Sequence, residues 1–290
     1  MNGIYAALLT PVDEQGNLDE QALVKLVNYE LDQGVEGFYC CGSSGEGLLL
    51  ERNERKRLVE VVASEVSGEV PFIVHTGALS TASVVDLSIH AQACGAQAVS
   101  LIPPIYYSYT PMEVEHHYRS VVEALHIGVI VYNIPQFTGI TFSKKMNSSL
   151  LNDSRIIGIK HTSMNLYELE RIHEAFPDKI LYNGFDEMYL YSMTAGAHAT
   201  IGTTVNICPR IFKEIRDRFT HGDLTQAREV QSTLNAFIEA LVENGIFSAA
   251  KYAMEVLGVP CGPCRRPFLP LSNQQQGNVR EALKIVESWL

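Results

Sequence analysis

Gly95-Ala96-Gln97-Ala98-Val99-Ser100-Leu101-Ile102 carries the fold in miniature: an amphipathic stretch ends at a glycine, and an apolar run of strand length follows. A glycine just past a helix takes the left-handed conformation that caps it without steric cost. The same join recurs at Gly34-Val35-Glu36-Gly37 and at Gly196-Ala197-His198-Ala199. The intervals, 61 residues from Gly34 to Gly95 and 101 from Gly95 to Gly196, fit two and about three strand–helix units. Outward from these joins, strand-like runs lie at Ile4–Leu9, Gly37–Cys41, Pro71–His75, Ala98–Ile102, Val129–Asn133, Ile156–Lys160, Ile180–Asn183 and Ala199–Ile201. Helical patterns separate them near 20–33, 51–66, 81–94, 111–125, 142–151, 164–175 and 186–195. Eight strands alternating with helices is the number for a closed parallel barrel. An open doubly wound sheet would use fewer strands and a glycine-rich first turn, and Leu9-Thr10-Pro11-Val12-Asp13 has no such fingerprint.

Beyond residue 205 the strand pattern stops, and 207–219, 223–243, 247–256 and 276–290 read as helices. The expected fold is therefore α/β, a (β/α)8 TIM barrel over residues 1–205 with a C-terminal helical extension over 206–290. No Ser/Gly-rich linker separates the two, so they are expected to form a single structural unit.

Composition narrows the function. With 46% hydrophobic and 19% charged residues, 290 residues bury a large core. A net charge of −11 repels a nucleic-acid backbone and an anionic membrane surface, so neither is expected as a partner. The first residues lack a basic, apolar leader, and no apolar run reaches the roughly 20 residues of a membrane span. A cytoplasmic protein is expected, and its six cysteines do not read as a disulfide framework.

In such a barrel the chemistry lies at the C-terminal strand ends. Lys160 closes the run Arg155-Ile156-Ile157-Gly158-Ile159-Lys160, whereas the other lysines fall on helical faces or just before strands. A lysine desolvated there favours its free amine, which attacks a ketone; a lysine paired with a rim carboxylate would occupy the same position. Tyr132, in Val129-Ile130-Val131-Tyr132-Asn133-Ile134-Pro135, ends the neighbouring strand, where a phenol either moves protons or serves the core. The turn Cys41-Gly42-Ser43-Ser44-Gly45-Glu46 offers hydroxyl and backbone donors suited to a carboxylate, although an ordinary βα turn reads the same way. Asn183-Gly184-Phe185-Asp186-Glu187 puts two carboxylates after a strand, fit either for a polyhydroxylated ligand or for capping a helix.

Other signals are discounted. Cys261-Gly262-Pro263-Cys264 has redox spacing but lies in a Pro-rich loop near the end of the chain. His116-His117 lack a metal-site pattern and are assigned to a solvated helix face, and His75 to the core at the end of the third strand. No metal and no cofactor are expected.

Together these segments resemble the N-acetylneuraminate lyase and dihydrodipicolinate synthase superfamily of pyruvate-dependent class I aldolases. The likeness runs over essentially the whole chain, through Ala6-Ala7-Leu8-Leu9-Thr10-Pro11, Gly42-Ser43-Ser44-Gly45-Glu46, Tyr132-Asn133-Ile134-Pro135 and Gly158-Ile159-Lys160. Tyr182-Asn183-Gly184-Phe185-Asp186-Glu187 and Ile201-Gly202-Thr203-Thr204-Val205-Asn206-Ile207 favour the lyase branch. Phe137 stands where the synthases carry an arginine that grips the second substrate. The resemblance implies a Schiff base on Lys160, proton transfer by Tyr132, and a pyruvate carboxylate on Ser43 and Ser44. It further implies a sugar pocket of Thr162, Gly184, Asp186, Glu187, Thr203 and Phe247. Tyr106 matches a tyrosine that a neighbouring subunit contributes, which implies a homotetramer. Ser44, Phe185 and Thr203 depart mildly from the family pattern. The implied reaction cleaves a sialic acid to pyruvate and an aldehyde sugar. The alternatives are another pyruvate aldolase acting on a 2-keto-3-deoxy sugar acid, a dihydrodipicolinate synthase-like enzyme, and a non-catalytic barrel that binds a keto acid.

Overall fold

The computed structural model describes residues 3–142 and 148–290. Eight parallel strands close on one another in sequence order: β1 (Gly3–Ala6), β2 (Gly37–Cys40), β3 (Phe72–His75), β4 (Ala98–Leu101), β5 (Gly128–Asn133), β6 (Ile156–His161), β7 (Ile180–Asn183) and β8 (Ala199–Gly202). Pairing of β1 with β8, from Gly3 opposite Ala199 to Ala6 opposite Gly202, completes the TIM barrel. The expected fold class holds, and each strand run lies within a residue or so of its expected place except the first. That run reaches only Ala6, although the amides of Ala7 and Leu8 still donate to Gly202 O and Tyr39 O at the barrel mouth.

The helices between the strands are α1 (Glu20–Asp32), α2 (Arg52–Val66), α3 (Thr81–Ala93), α4 (Pro111–Glu123), α5 (Pro135–Thr138), α6 (Ser148–Leu151), α7 (Leu166–Ala175) and α8 (Tyr189–Thr194). Their starts are written locally. Asp19, Ser80, Thr110 and Asn165 each accept a backbone N–H of the first turn, and Pro111 with Glu113 adds a preformed φ and a capping box to α4. The joining glycines behave as their spacing implies, with φ of +83° at Gly34, +87° at Gly95 and +95° at Gly196. Of the helix expected over 142–151, residues 143–147 lie outside the described residues.

The chain continues with α9 (Pro209–Thr220), α10 (Leu224–Glu243), α11 (Ile246–Val256) and α12 (Asn273–Ile285). Helix α9 packs against α8 and β1 and completes the outer ring. Helix α10 lies over α8 and α9, and α12 covers α10 and α11. The last helix starts before its expected residue 276 because Ser272 and Gln275 form a capping box.

The strands alternate between two apolar environments. Ile4, Phe38, Val74, Val99, Val131 and Ile159 face outward into the layer shared with the helices. Tyr5, Tyr39, Ile73, Ile130, Tyr132, Tyr182 and Ile201 fill the barrel interior. One correction concerns α4: His116 is exposed, but His117 lies on the inner stripe with Val114, Tyr118 and Val121 and bonds Thr81 Oγ1 at 2.8 Å.

Candidate active site

Lys160 sits on β6 in register with Tyr132 of β5 and Tyr182 of β7, so its side chain enters the interior near the top layer. It is only 4% exposed. Its Nζ lies 4.1 Å from the ring centroids of both Tyr39 and Tyr132. Burial lowers its affinity for a proton, while Tyr132 and, further down, Asp186 pull the other way. The aromatic faces offset part of the desolvation of the ammonium. The result is a lysine on the barrel axis whose amine is freed more readily than that of a surface lysine.

The rings around it are braced. Tyr39 meets Tyr132 edge to face at 6.0 Å, and its hydroxyl bonds Ser100 Oγ at 3.0 Å. His75 stands edge to face with Tyr132 at 5.7 Å. Its Nδ1 lies 3.0 Å from Cys41 O, which only a protonated ring nitrogen satisfies; burial keeps the ring neutral, with its pKa down at about 3. His75 therefore belongs to the core, as its position implies, and stiffens the turn after β2.

That turn carries Ser43 and Ser44. Ser44 Oγ and Thr203 Oγ1, just past β8, are 2.7 Å apart, which ties the turn across the barrel mouth. Behind it, the Glu46 carboxylate reaches Lys251 Nζ of α11 at 2.6 Å, with both side chains 1% exposed, and accepts the Arg265 N–H at 2.6 Å. Lys251 also donates to Pro263 O, and Val12 N donates to Cys261 O. The Cys-Gly-Pro-Cys stretch is thus a fastening loop whose backbone holds the serine turn, and both thiols are free.

The opposite wall is built on β6, β7 and β8. Gly184 crosses so close to Thr162 that a Cβ would stand 1.8 Å from Thr162 Oγ1, and a Cβ on Gly202 would stand 1.7 Å from Asp186 Oδ1. Glycine at both positions lets the carboxylate tuck under the strand ends. Asp186 Oδ2 accepts the N–H and the hydroxyl of Thr204, at 2.8 and 2.7 Å, while Oδ1 has no partner. Burial pushes its carboxyl up to about 6, against the Thr204 bonds, which hold it down; burial also raises Glu187.

These walls enclose one cavity of 180 Å³. Ser43, Ser44, Tyr132 and Lys160 line one part of it, and Thr162, Gly184, Asp186, Glu187, Thr203 and Phe247 the other. Ten of the residues singled out in the sequence therefore share a single space. Tyr106 does not join them: it lies between β4 and α4, 86% exposed, with φ of +80°, stacked edge to face on Tyr107. The sequence reading missed Tyr39 beneath the lysine, Thr204 behind Asp186, and Ile238, Val242 and Ile246 of the extension, which also line the cavity. Alternation along β2 signals Tyr39; the others depend on tertiary packing. Among the described residues no three His, Cys, Asp or Glu side chains gather as a metal site.

The profile of the dihydrodipicolinate synthetase family matches residues 1–286. The chain is 40% identical to N-acetylneuraminate lyase of Rhizobium meliloti over 290 residues, covering 100% of this chain and 96% of the relative. Two solved structures superpose over its full length. N-acetylneuraminate lyase from Fusobacterium nucleatum is 32% identical with a TM-score of 0.94, and CdNal from Clostridium difficile, in complex with mannosamine, is 31% identical with a TM-score of 0.96. In both cases 99% of the solved chain is covered.

Proposed function

This chain belongs to the dihydrodipicolinate synthetase family, and from that premise we propose that it is a class I aldolase cleaving N-acetylneuraminate to N-acetylmannosamine and pyruvate. The observation that carries the reading is the buried Lys160 amine, facing a cavity with hydroxyl donors on one side and two carboxylates on the other. The open-chain sugar acid binds with its carboxylate on the Ser43–Ser44 turn. Lys160 Nζ attacks the C2 ketone, water leaves, and an imine forms. The imine draws in the electron pair of the C3–C4 bond as a base removes the C4 hydroxyl proton, and N-acetylmannosamine departs. Tyr132 and the substrate's own carboxylate carry the protons. Protonation of the enamine and hydrolysis of the imine release pyruvate and restore the amine. The lysine is itself the electron sink, so this route uses no metal or organic cofactor.

On the other side, ionised Asp186 and Glu187 accept hydroxyls of the sugar, and Thr162, whose buried Oγ1 has no partner, supplies a further polar contact. Phe137 at the cavity favours this substrate over one whose second carboxylate needs an arginine. A pyruvate aldolase for shorter 2-keto-3-deoxy sugar acids is the second reading, and Asp186 with Glu187 argues against it. We assign Tyr106 to the neighbouring subunit's site in a homotetramer; an exposed, positive-φ tyrosine stacked only on Tyr107 supports a contact outside its own chain. Six free thiols suit the cytoplasm, and no described helix is long and apolar enough to cross a membrane.

The test is to treat the protein with pyruvate and borohydride, map any adduct, and assay cleavage of N-acetylneuraminate. A stable pyruvate adduct on Lys160, absent from Lys160→Ala, together with turnover of the sialic acid, is expected. Folded protein that forms no adduct would remove the aldolase mechanism. An adduct without sialic acid cleavage would move the assignment to another aldehyde.

A further inference from the structure

The helix expected from residue 186 does not begin there. Residues Asp186–Met188 form a 3₁₀ turn, and α8 starts only at Tyr189. In a continuous α-helix the Leu190 N–H would donate to Asp186 O, four residues back. Here a side chain from the C-terminal extension stands between those two groups. Gln231 of α10, fully buried, accepts the Leu190 N–H on Oε1 at 2.9 Å and donates from Nε2 to Asp186 O at 3.1 Å. The second Nε2 hydrogen goes to Asn235 Oδ1 at 2.8 Å, which fixes which way the amide faces. One side-chain amide thus replaces one rung of the helical ladder, and a side chain inserted there is a recognised cause of a helix break.

The consequence falls on the residues before the break. Freed from the α-helical rung, the turn tightens, and the Asp186 side chain points back to Thr204 beneath β8 while Glu187 faces the cavity. We infer that Gln231 is a positioning residue that sets the sugar-binding carboxylates and so fixes preference for a long polyhydroxylated aldehyde, without itself touching substrate. This rests on the proposed aldolase reading and deepens it. Asp186 O also accepts the Tyr189 N–H of the 3₁₀ turn, so without the amide it is the Leu190 N–H that loses its partner, and its nearest remedy is to take Asp186 O over from Tyr189. That converts the turn to α-helix and rotates both carboxylates away from their present aim. Gln231 hydrogen-bonds only Leu190, Asp186 and Asn235, so the pyruvate half of the site, on the Ser43–Ser44 turn and Lys160, should keep its geometry and feel only the weaker pull of a displaced Asp186 on Lys160.

The experiment compares wild type, Gln231→Met and Asn235→Ala, each normalised to the fraction of Lys160 trapped by pyruvate and borohydride. Gln231→Met is expected to trap pyruvate as wild type does and to show a KM for N-acetylneuraminate raised at least about tenfold, the scale of one hydrogen bond to a charged group, with kcat per trapped site changed far less. In the condensation direction, its preference for N-acetylmannosamine over erythrose should fall by a similar factor. Asn235→Ala, which only loosens the amide, should shift KM the same way by about threefold. A purely structural role would lower both aldehydes together and leave KM unchanged; that result overturns the inference. So does an unchanged KM in Asn235→Ala, should Gln231→Met fail to fold. Wild type that traps pyruvate but does not cleave the sialic acid would sink the proposed substrate instead, and is distinguishable because it appears before any substitution is made.

Discussion

Replacing Asp186 with asparagine should weaken sugar binding and make the protein gain stability on wild type as pH rises, and pH should separate the two causes. The Asp186 carboxyl is pushed up by burial from 3.8 to about 6. A folded-state value above the unfolded one means that folding favours the neutral acid. The stability this group contributes is whole below about pH 4 and is lost as pH rises to about 6. At pH 7.5 the fold carries a buried carboxylate that costs about 3 kcal/mol, from roughly two pKa units at about 1.4 kcal/mol each. Asparagine retains an oxygen for the Thr204 N–H and hydroxyl and never ionises. Its amide does introduce a donor where Oδ1 now has no partner, at about 1–3 kcal/mol, but that penalty is the same at every pH. The difference between the two pH values therefore isolates the charge. About 1 kcal/mol of that cost is already present at pH 4.5, where the unfolded carboxyl is largely ionised, so thermal melts of wild type and Asp186→Asn at pH 4.5 and 7.5 should show the variant gaining on wild type by about 3–4 °C more at the higher pH. Over the same range, wild-type KM for N-acetylneuraminate should rise as pH falls below about 6, while the variant stays high throughout. A melting difference independent of pH, or one that grows towards acid, would refute the assignment of a destabilising buried carboxylate.

Two further substitutions probe the supports. Lys251→Met strands the Glu46 carboxylate in the interior and should cost about 3–5 kcal/mol, with a matching fall in melting temperature and less pyruvate trapped on Lys160. Adding Glu46→Gln should restore much of the stability but not the trapping, because the serine turn stays unfastened; recovery of the trapping as well would mean that the pair is not the fastening. Glu30, fully buried in α1 with both oxygens unpartnered, is raised well above the carboxylate range by burial. Its folded-state contribution is present at acid pH and lost as pH rises, so Glu30→Gln should gain on wild type in melts between pH 5 and 9. A flat difference would mean that wild type already relieves the charge.

The barrel was legible because its signals are local. Glycine joins, capping residues and strand alternation sit within a few residues of what they specify, and the mouth position of Lys160 and Tyr132 follows from strand ends alone. The site was less legible wherever a distant residue decides the outcome. The pattern over 186–195 reads as one helix, and nothing within it tells that Gln231, 45 residues on, will interrupt it. Alternation along β2 marks Tyr39 as facing the interior, but only the register of neighbouring strands puts its ring beneath the lysine. Cys261 and Cys264 invite a redox reading, whereas the stretch matters for the carbonyls of Cys261 and Pro263, which spacing does not reveal. His117 was misassigned because two adjacent histidines straddle the boundary between the two faces of α4.

One physical cause ties the cavity together. Burial lowers Lys160, holds His75 near 3 and raises both Asp186 and Glu187, so every one of these groups is moved towards its neutral form. A site biased against charge is a poor place for a lone ion and a good place for a matched pair. On the proposed function the substrate supplies that pair: its carboxylate arrives as the imine on Lys160 becomes cationic, and each offsets the other's desolvation. This accounts for hydroxyls and backbone donors, rather than an arginine, at the Ser43–Ser44 turn. Neutral donors hold the carboxylate without cancelling its charge, which leaves it free to stabilise the iminium and to carry a proton.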